Sequence, residues 1–133
     1  MFLFDLSVLY DEIGWGFMEA KAVARYVRVS PRKMRQIVDA IRGRDVETAL
    51  SFLHFSPKRA TRAVEKVVRS AVANMMNVNT EWKGQTEHLK IVTAYVDEGV
   101  RWRRMRIRAR GRGANILRRR TSHITVIVSD GGH

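Results

Sequence analysis

The side chains with the greatest chemical capacity in this sequence are arginines, and they are concentrated in one stretch. Residues 100–120, VRWRRMRIRARGRGANILRRR, hold ten Arg and no acidic residue. A guanidinium stays charged at any physiological pH, and its planar fork matches two oxygens of a phosphate. Arg104, Arg106, Arg108, Arg110 and Arg112 recur at every second position. An extended strand would place all five on one face as a row of phosphate contacts, with Met105, Ile107 and Ala109 on the other. Arg101, Arg103, Arg118, Arg119 and Arg120 complete the set. Gly111-Arg112-Gly113 supplies the permissive backbone of a reversal, so the stretch reads as one long β-hairpin over about residues 98–122. At about 3.3 Å per residue, an arm of roughly ten residues reaches on the order of 30 Å. A lone two-stranded ribbon is marginal in water, and Arg–Arg repulsion weakens this one further. A partner rich in phosphate would supply the missing order.

Other chemistries fit poorly. His54, His88, His123 and His133 lack the spacing of metal ligands, and Ser122 and His123 are strand neighbours that point to opposite faces. The Gly111–Gly113 pattern lacks the Gly-Lys-Ser/Thr ending of a phosphate-binding loop, and no helix is signalled after it. With no Cys there is neither a disulfide framework nor a thiolate site, which suits a reducing cytosol. No catalytic residue, metal or cofactor is therefore expected. The formal net charge of +12, from 25 basic and 13 acidic residues, points to a polyanionic partner. A membrane surface is the weaker choice, because no apolar run approaches the roughly 18 residues of a span and no sustained amphipathic helix flanks the arginines.

The elements that must carry this arm are legible from periodicity. AKAVARYVRV, residues 20–29, reads as a strand with Val23, Val27 and Val29 on one side and Arg25 breaking the pattern. Ser30-Pro31 is a cap and first-turn pair, after which Met34, Ile37, Val38 and Ile41 form a helical stripe ended by Gly43. Arg32 and Lys33 fall in that helix's first turn, where the dipole disfavours positive charge, so an external anion would relieve the conflict. Arg35 and Arg42 also lie off the stripe. Asp45 caps a second helix with Val46, Ala49, Leu50 and Leu53 inward, and Ser56-Pro57 repeats the cap signal for a third. Ala60, Ala63, Val64, Val67, Val68, Ala71 and Met75 make its stripe of small residues. Asn74, Asn77 and Asn79 cluster near its end, where capping or turning the chain is the preferred role. A loop with Trp82 and Gly84 leads to strands at Leu89–Val96 and Thr121–Val128. The expected fold is α+β, three helices packed on a small antiparallel sheet, with the Arg-rich hairpin protruding.

The length suits one domain, expected over residues 18–130 with a short tail at 131–133. Residues 1–17 contain Asp5, Asp11 and Glu12 but no Lys or Arg, so the charge character changes at Met18. They lack the positive start and small-residue cleavage site of a secretory signal. Two readings remain, an apolar segment packed on the domain or a start codon assigned upstream of Met18, and the second is preferred.

Three segments together resemble a known family: RYVRVSPRKMRQIVDAIRG at 25–43, AYVDEGVRWRRM at 94–105, and RARGRGANILRRRTSHITVIVSD at 108–130. They are similar to the large-subunit ribosomal protein L twenty-two family, over Met18 to Asp130. The resemblance implies a globular domain near the exit of the nascent-peptide tunnel. Its hairpin would run inward through large-subunit rRNA to line the tunnel wall, with the tip at Met105–Gly113. It implies a structural role in translation and early ribosome assembly, in the cytoplasm, with rRNA, neighbouring ribosomal proteins and the nascent peptide as partners and no homo-oligomer. Arg25, Arg28, Arg32, Lys33 and Arg35 join the hairpin arginines as expected rRNA contacts. Val100 and Ile107 stand where the family pattern has Pro. A free regulatory RNA-binding protein is the alternative; no helix-turn-helix or zipper pattern favours duplex DNA.

Overall fold

The computed structural model describes residues 18–78 and 88–130 of the 133-residue chain. The expectations for residues 1–17, Asn79, Trp82, Gly84 and the tail fall outside the described residues. The chain runs β1 (Glu19–Val27), α1 (Pro31–Ile41), α2 (Val46–Phe55), α3 (Thr61–Val78), β2 (Lys90–Ile107), a short 3₁₀ turn (Ala109–Gly111) and β3 (Ala114–Ser129). The three strands form one antiparallel sheet in the order β1-β3-β2. The last strand in sequence is thus the central one, which fits the dense β-branched content of TSHITVIV.

The helices cover one face of this sheet. Strand register stacks that face in three rows: Ala20, Val128 and Ile91; Ala22, Val126 and Ala94; Ala24, Ile124 and Val96. All nine side chains are buried, and they meet Met34, Val38 and Ile41 of α1, Leu53 of α2, and Val64, Val68 and Ala71 of α3 in one core.

The inward side of β1 is its alanine side. Val23, expected on the same side as Val27 and Val29, pairs with Thr125 on the outer face and is only half-buried. Small side chains suit this position because α3 lies directly against β1 and brings its own small stripe. Farther along, an extra residue enters β1 between Ala24 and Val27, and Tyr26 takes φ 57°. Such a bulge reverses the inside–outside phase of the strand. Val27 and Val29 therefore pack on the core, on the side away from Val23.

The helix-start signals are partly different from expectation. Ser30 and Asp45 occupy N-cap positions, but neither side chain caps; the Ser30 carbonyl instead accepts from the Lys33 and Met34 N–H groups. Ser56 does not start α3. It ends α2, donating its N–H to the Phe52 carbonyl, and α3 begins at Thr61, whose hydroxyl donates to the Lys58 carbonyl. Pro57 after Ser56 reads equally well as a stop for the helix before it.

Both edges of the sheet are tied to the helices by side chains. On β1, the Lys21 carbonyl accepts from the Asn74 amide at 3.0 Å, so Asn74 joins α3 to the sheet. On β2 the cover is more extensive. The α1–α2 connection pairs with it through Gly43 N–H to the Ile91 carbonyl, Ile91 N–H to the Arg44 carbonyl and Val46 N–H to the Leu89 carbonyl. Farther along, Arg42 donates to the Ala94 carbonyl at 2.7 and 3.0 Å, and Arg35 to the Val96 carbonyl at 3.3 Å. Covering an edge in this way removes a template for unwanted strand pairing.

Candidate nucleic-acid interface

β2 and β3 leave the domain together and continue as a paired ribbon. Arg101 pairs with Arg120, and the register is unbroken to Ile107 opposite Ala114. No residue from Val100 to Arg120 is buried. The neck of the ribbon is close-packed. A Cβ on Gly99 would sit 2.4 Å from the Thr121 hydroxyl, which donates to the Val100 carbonyl at 2.8 Å. A register shift between Glu98 and Arg101 marks the same point. Glu98 accepts a hydrogen bond from Arg101 there. That bond and then the charge of Arg101 hold the Glu98 carboxyl below its ordinary pKa against the opposing effect of desolvation, with lesser contributions from Arg35 and Arg120.

The reversal begins earlier than the glycine triplet suggested. Arg108 N–H donates to the Gly113 carbonyl at 3.1 Å, enclosing a loop in which Arg110, Gly111 and Gly113 all have positive φ. Arg108 also donates to the Asn115 side chain at 2.7 Å, linking the arms beside the loop. Only Arg104 and Arg106 of the expected five-residue row therefore lie on one face of a regular strand. Arg108 flanks the loop, and Arg110, at φ 59°, and Arg112 lie within it. The parity argument fails where pairing stops, because side chains alternate only along extended backbone.

Cross-strand register fills the gap in charge. Trp102, Arg104 and Arg106 share a face with Arg119, Leu117 and Asn115; Arg101, Arg103, Met105 and Ile107 share the other with Arg120, Arg118, Ile116 and Ala114. Both faces thus carry guanidinium groups among exposed apolar side chains. Among the described residues, the side chains of Arg103, Arg104, Arg106, Arg110, Arg112, Arg118 and Arg119 make no hydrogen bond or ion pair.

The remaining expected contacts divide into two groups. Arg28, Arg32 and Lys33 line a concavity of about 750 Å³ at the start of α1, together with Lys58 and Arg59. The first turn of α1 contains no acidic residue. Lys58 and Arg59 escaped the sequence reading, although Ser56-Pro57-Lys58-Arg59 echoes Ser30-Pro31-Arg32-Lys33 and could have flagged them. Arg28 also lines a second cleft at the hairpin root, so one basic surface is continuous from ribbon to helix. Arg25 is exposed in the β1 bulge. Arg35 belongs to the other group, since two of its nitrogens are engaged by the protein's own Val96 carbonyl. Among the described residues no group of His, Asp or Glu side chains is arranged to hold a metal ion, and no helix is long and apolar enough to cross a membrane.

The family model of ribosomal protein L22p/L17e matches residues 22–129. The chain belongs to this family. The L22p/L17e match covers both the helical domain and the whole ribbon. Relatives agree with it. The large ribosomal subunit protein uL22 of Pelotomaculum thermopropionicum is 54% identical over 113 residues, covering 85% of this chain and 96% of the relative. The uL22 proteins of Carboxydothermus hydrogenoformans and Desulforamulus reducens are 50% and 53% identical over the same length, with the same coverage.

Proposed function

We propose that this chain is a structural constituent of the large ribosomal subunit, bound to its rRNA through the hairpin and the basic face beside α1. The observation that carries this reading is the paired ribbon of residues 101–120, whose exposed guanidinium groups largely lack acceptors within the protein. A ribbon of this kind is stabilised when phosphates take up those donors, and it fits an irregular RNA surface better than a duplex groove. The names of the relatives, large ribosomal subunit proteins, point the same way.

On this reading the domain rests on the particle's outer side and the ribbon extends inward among rRNA segments. Its tip at Arg108–Gly113, flanked by Met105 and Ile107, lines the tunnel through which the nascent peptide leaves. Neighbouring ribosomal proteins contact the domain, and the protein's work is positional: it holds rRNA during assembly and catalyses no reaction. Its location is then the cytoplasmic ribosome.

The test is sedimentation of the tagged chain through a high-salt sucrose gradient of cell lysate. Co-migration with the large subunit is expected. Residence in the light fractions would overturn the assignment in favour of a free RNA-binding protein.

A further inference from the structure

The root of the hairpin carries a feature that phosphate binding alone does not require. A half-open cleft of about 650 Å³, within the size range of pockets that take small molecules, is lined by Trp102, Leu117, Arg104, Arg119 and Arg28. Register puts the first four on one ribbon face, Trp102 opposite Arg119 and Arg104 opposite Leu117, and Arg28 closes the cleft from the β1–α1 connection. Trp102 is 58% exposed and contributes nothing to the core. No carboxylate lines the cleft.

We propose that this cleft receives one unstacked nucleotide of single-stranded RNA, its base against the Trp102 indole and its flanking phosphates on Arg28, Arg104 and Arg119. The inference rests on the rRNA-binding reading and deepens it by naming the form of RNA bound. A duplex hides the faces of its bases and offers only phosphates and groove edges, whereas an unpaired base offers a π-face that stacks on an indole. Guanidinium groups around the ring strengthen such a site, since they pair with phosphate and pack on aromatic faces. Leu117, 45% exposed, supplies an apolar wall that a base would cover. Thr121, which also lines the cleft, is tied to the neighbouring strand by its hydroxyl bond to the Val100 carbonyl.

The test uses the full chain carrying Trp15→Phe and Trp82→Phe, which leaves Trp102 as the sole indole. Its fluorescence is followed on addition of oligoadenylate or of an abasic oligonucleotide of equal length and charge. Binding of each is measured independently by anisotropy of an end-labelled strand. Oligoadenylate should quench Trp102 and the abasic strand should not. Trp102→Leu should weaken oligoadenylate binding about tenfold and leave abasic binding and the salt dependence unchanged, with Trp102→Phe keeping most of the affinity. Binding by anisotropy with no quenching, or with equal affinity for both strands, overturns the nucleotide site and leaves the rRNA reading standing. No binding of either strand removes both.

Discussion

β2 is one strand in two environments, and its halves use arginine in opposite ways. From Lys90 to Val96 it lies inside the domain, with Ile91, Ala94 and Val96 buried and its outer edge taken up by Gly43, Arg42 and Arg35. From Val100 to Ile107 nothing is buried and, in the ribbon from Arg101 to Arg120, most guanidinium groups find no acceptor in the chain. In the first half the arginines serve the fold, bridging a helix to an edge strand. In the second half they are exposed and mostly without an acceptor in the protein. The residue type is the same in both, so charge alone does not separate the two uses; the presence of a backbone acceptor within the protein does.

This contrast is broken most severely from the domain side. Ile124 is fully buried in the central strand, between Ala24 and Val96. Ile124→Ala should cost about 2–5 kcal/mol of folding free energy, from reduced burial and the cavity left behind. Urea unfolding measures it, and a loss well under 1 kcal/mol would mean that the sheet is not the centre of the domain's stability. Where the variant is still folded, the salt dependence of RNA binding should match that of the parent chain.

A smaller effect is expected at the boundary between the two uses. Arg42 donates twice to the Ala94 carbonyl and pairs with Asp39 at 2.9 Å, although its side chain is half-exposed. Arg42→Gln should destabilise by about 1 kcal/mol, as for a partly exposed hydrogen bond. Its RNA-binding slope against log salt should not change. A flatter slope would show that Arg42 also meets phosphate, and the separation of the two kinds of arginine would be wrong at that position.

How much of this was readable in the sequence depended on whether the signal was local. The α1 stripe of Met34, Ile37, Val38 and Ile41 is buried as its spacing required, because helical periodicity and burial coincide there. The β1 pattern was misread because alternation was carried through from Val23 to Val29, whereas the bulge between Ala24 and Val27 puts Val23 and Val27 on opposite faces. The roles of Arg35 and Arg42 were invisible for a different reason: their acceptors lie 61 and 52 residues away. In the ribbon, the arginine density and the hairpin were evident, but the row of five ended where the loop began at Arg108. The hairpin-root cleft needed both the pairing of Trp102 with Arg119 and the placement of Arg28, neither of which has a sequence signature.

The smallest effect on folding is expected from the most drastic change of charge. Replacing Arg104, Arg106, Arg108 and Arg110 together with Gln removes four cations from residues that bury nothing. The domain should unfold within about 0.5 kcal/mol of the parent, as for surface changes away from packed features. Removal of the Arg108 hydrogen bond to Asn115 is offset by relief of repulsion along the ribbon. RNA binding should respond quite differently. The slope of log affinity against log salt should flatten by roughly 0.7–0.9 for each phosphate that is no longer neutralised, about 3 in all if every one of the four arginines meets a phosphate. A drop in stability without a change of slope would make these arginines structural, like Arg42, and would dissolve the distinction between the two halves of β2. A flattened slope on an unchanged domain would fix it, because only side chains without a role in the fold can be removed from RNA binding at no cost to folding.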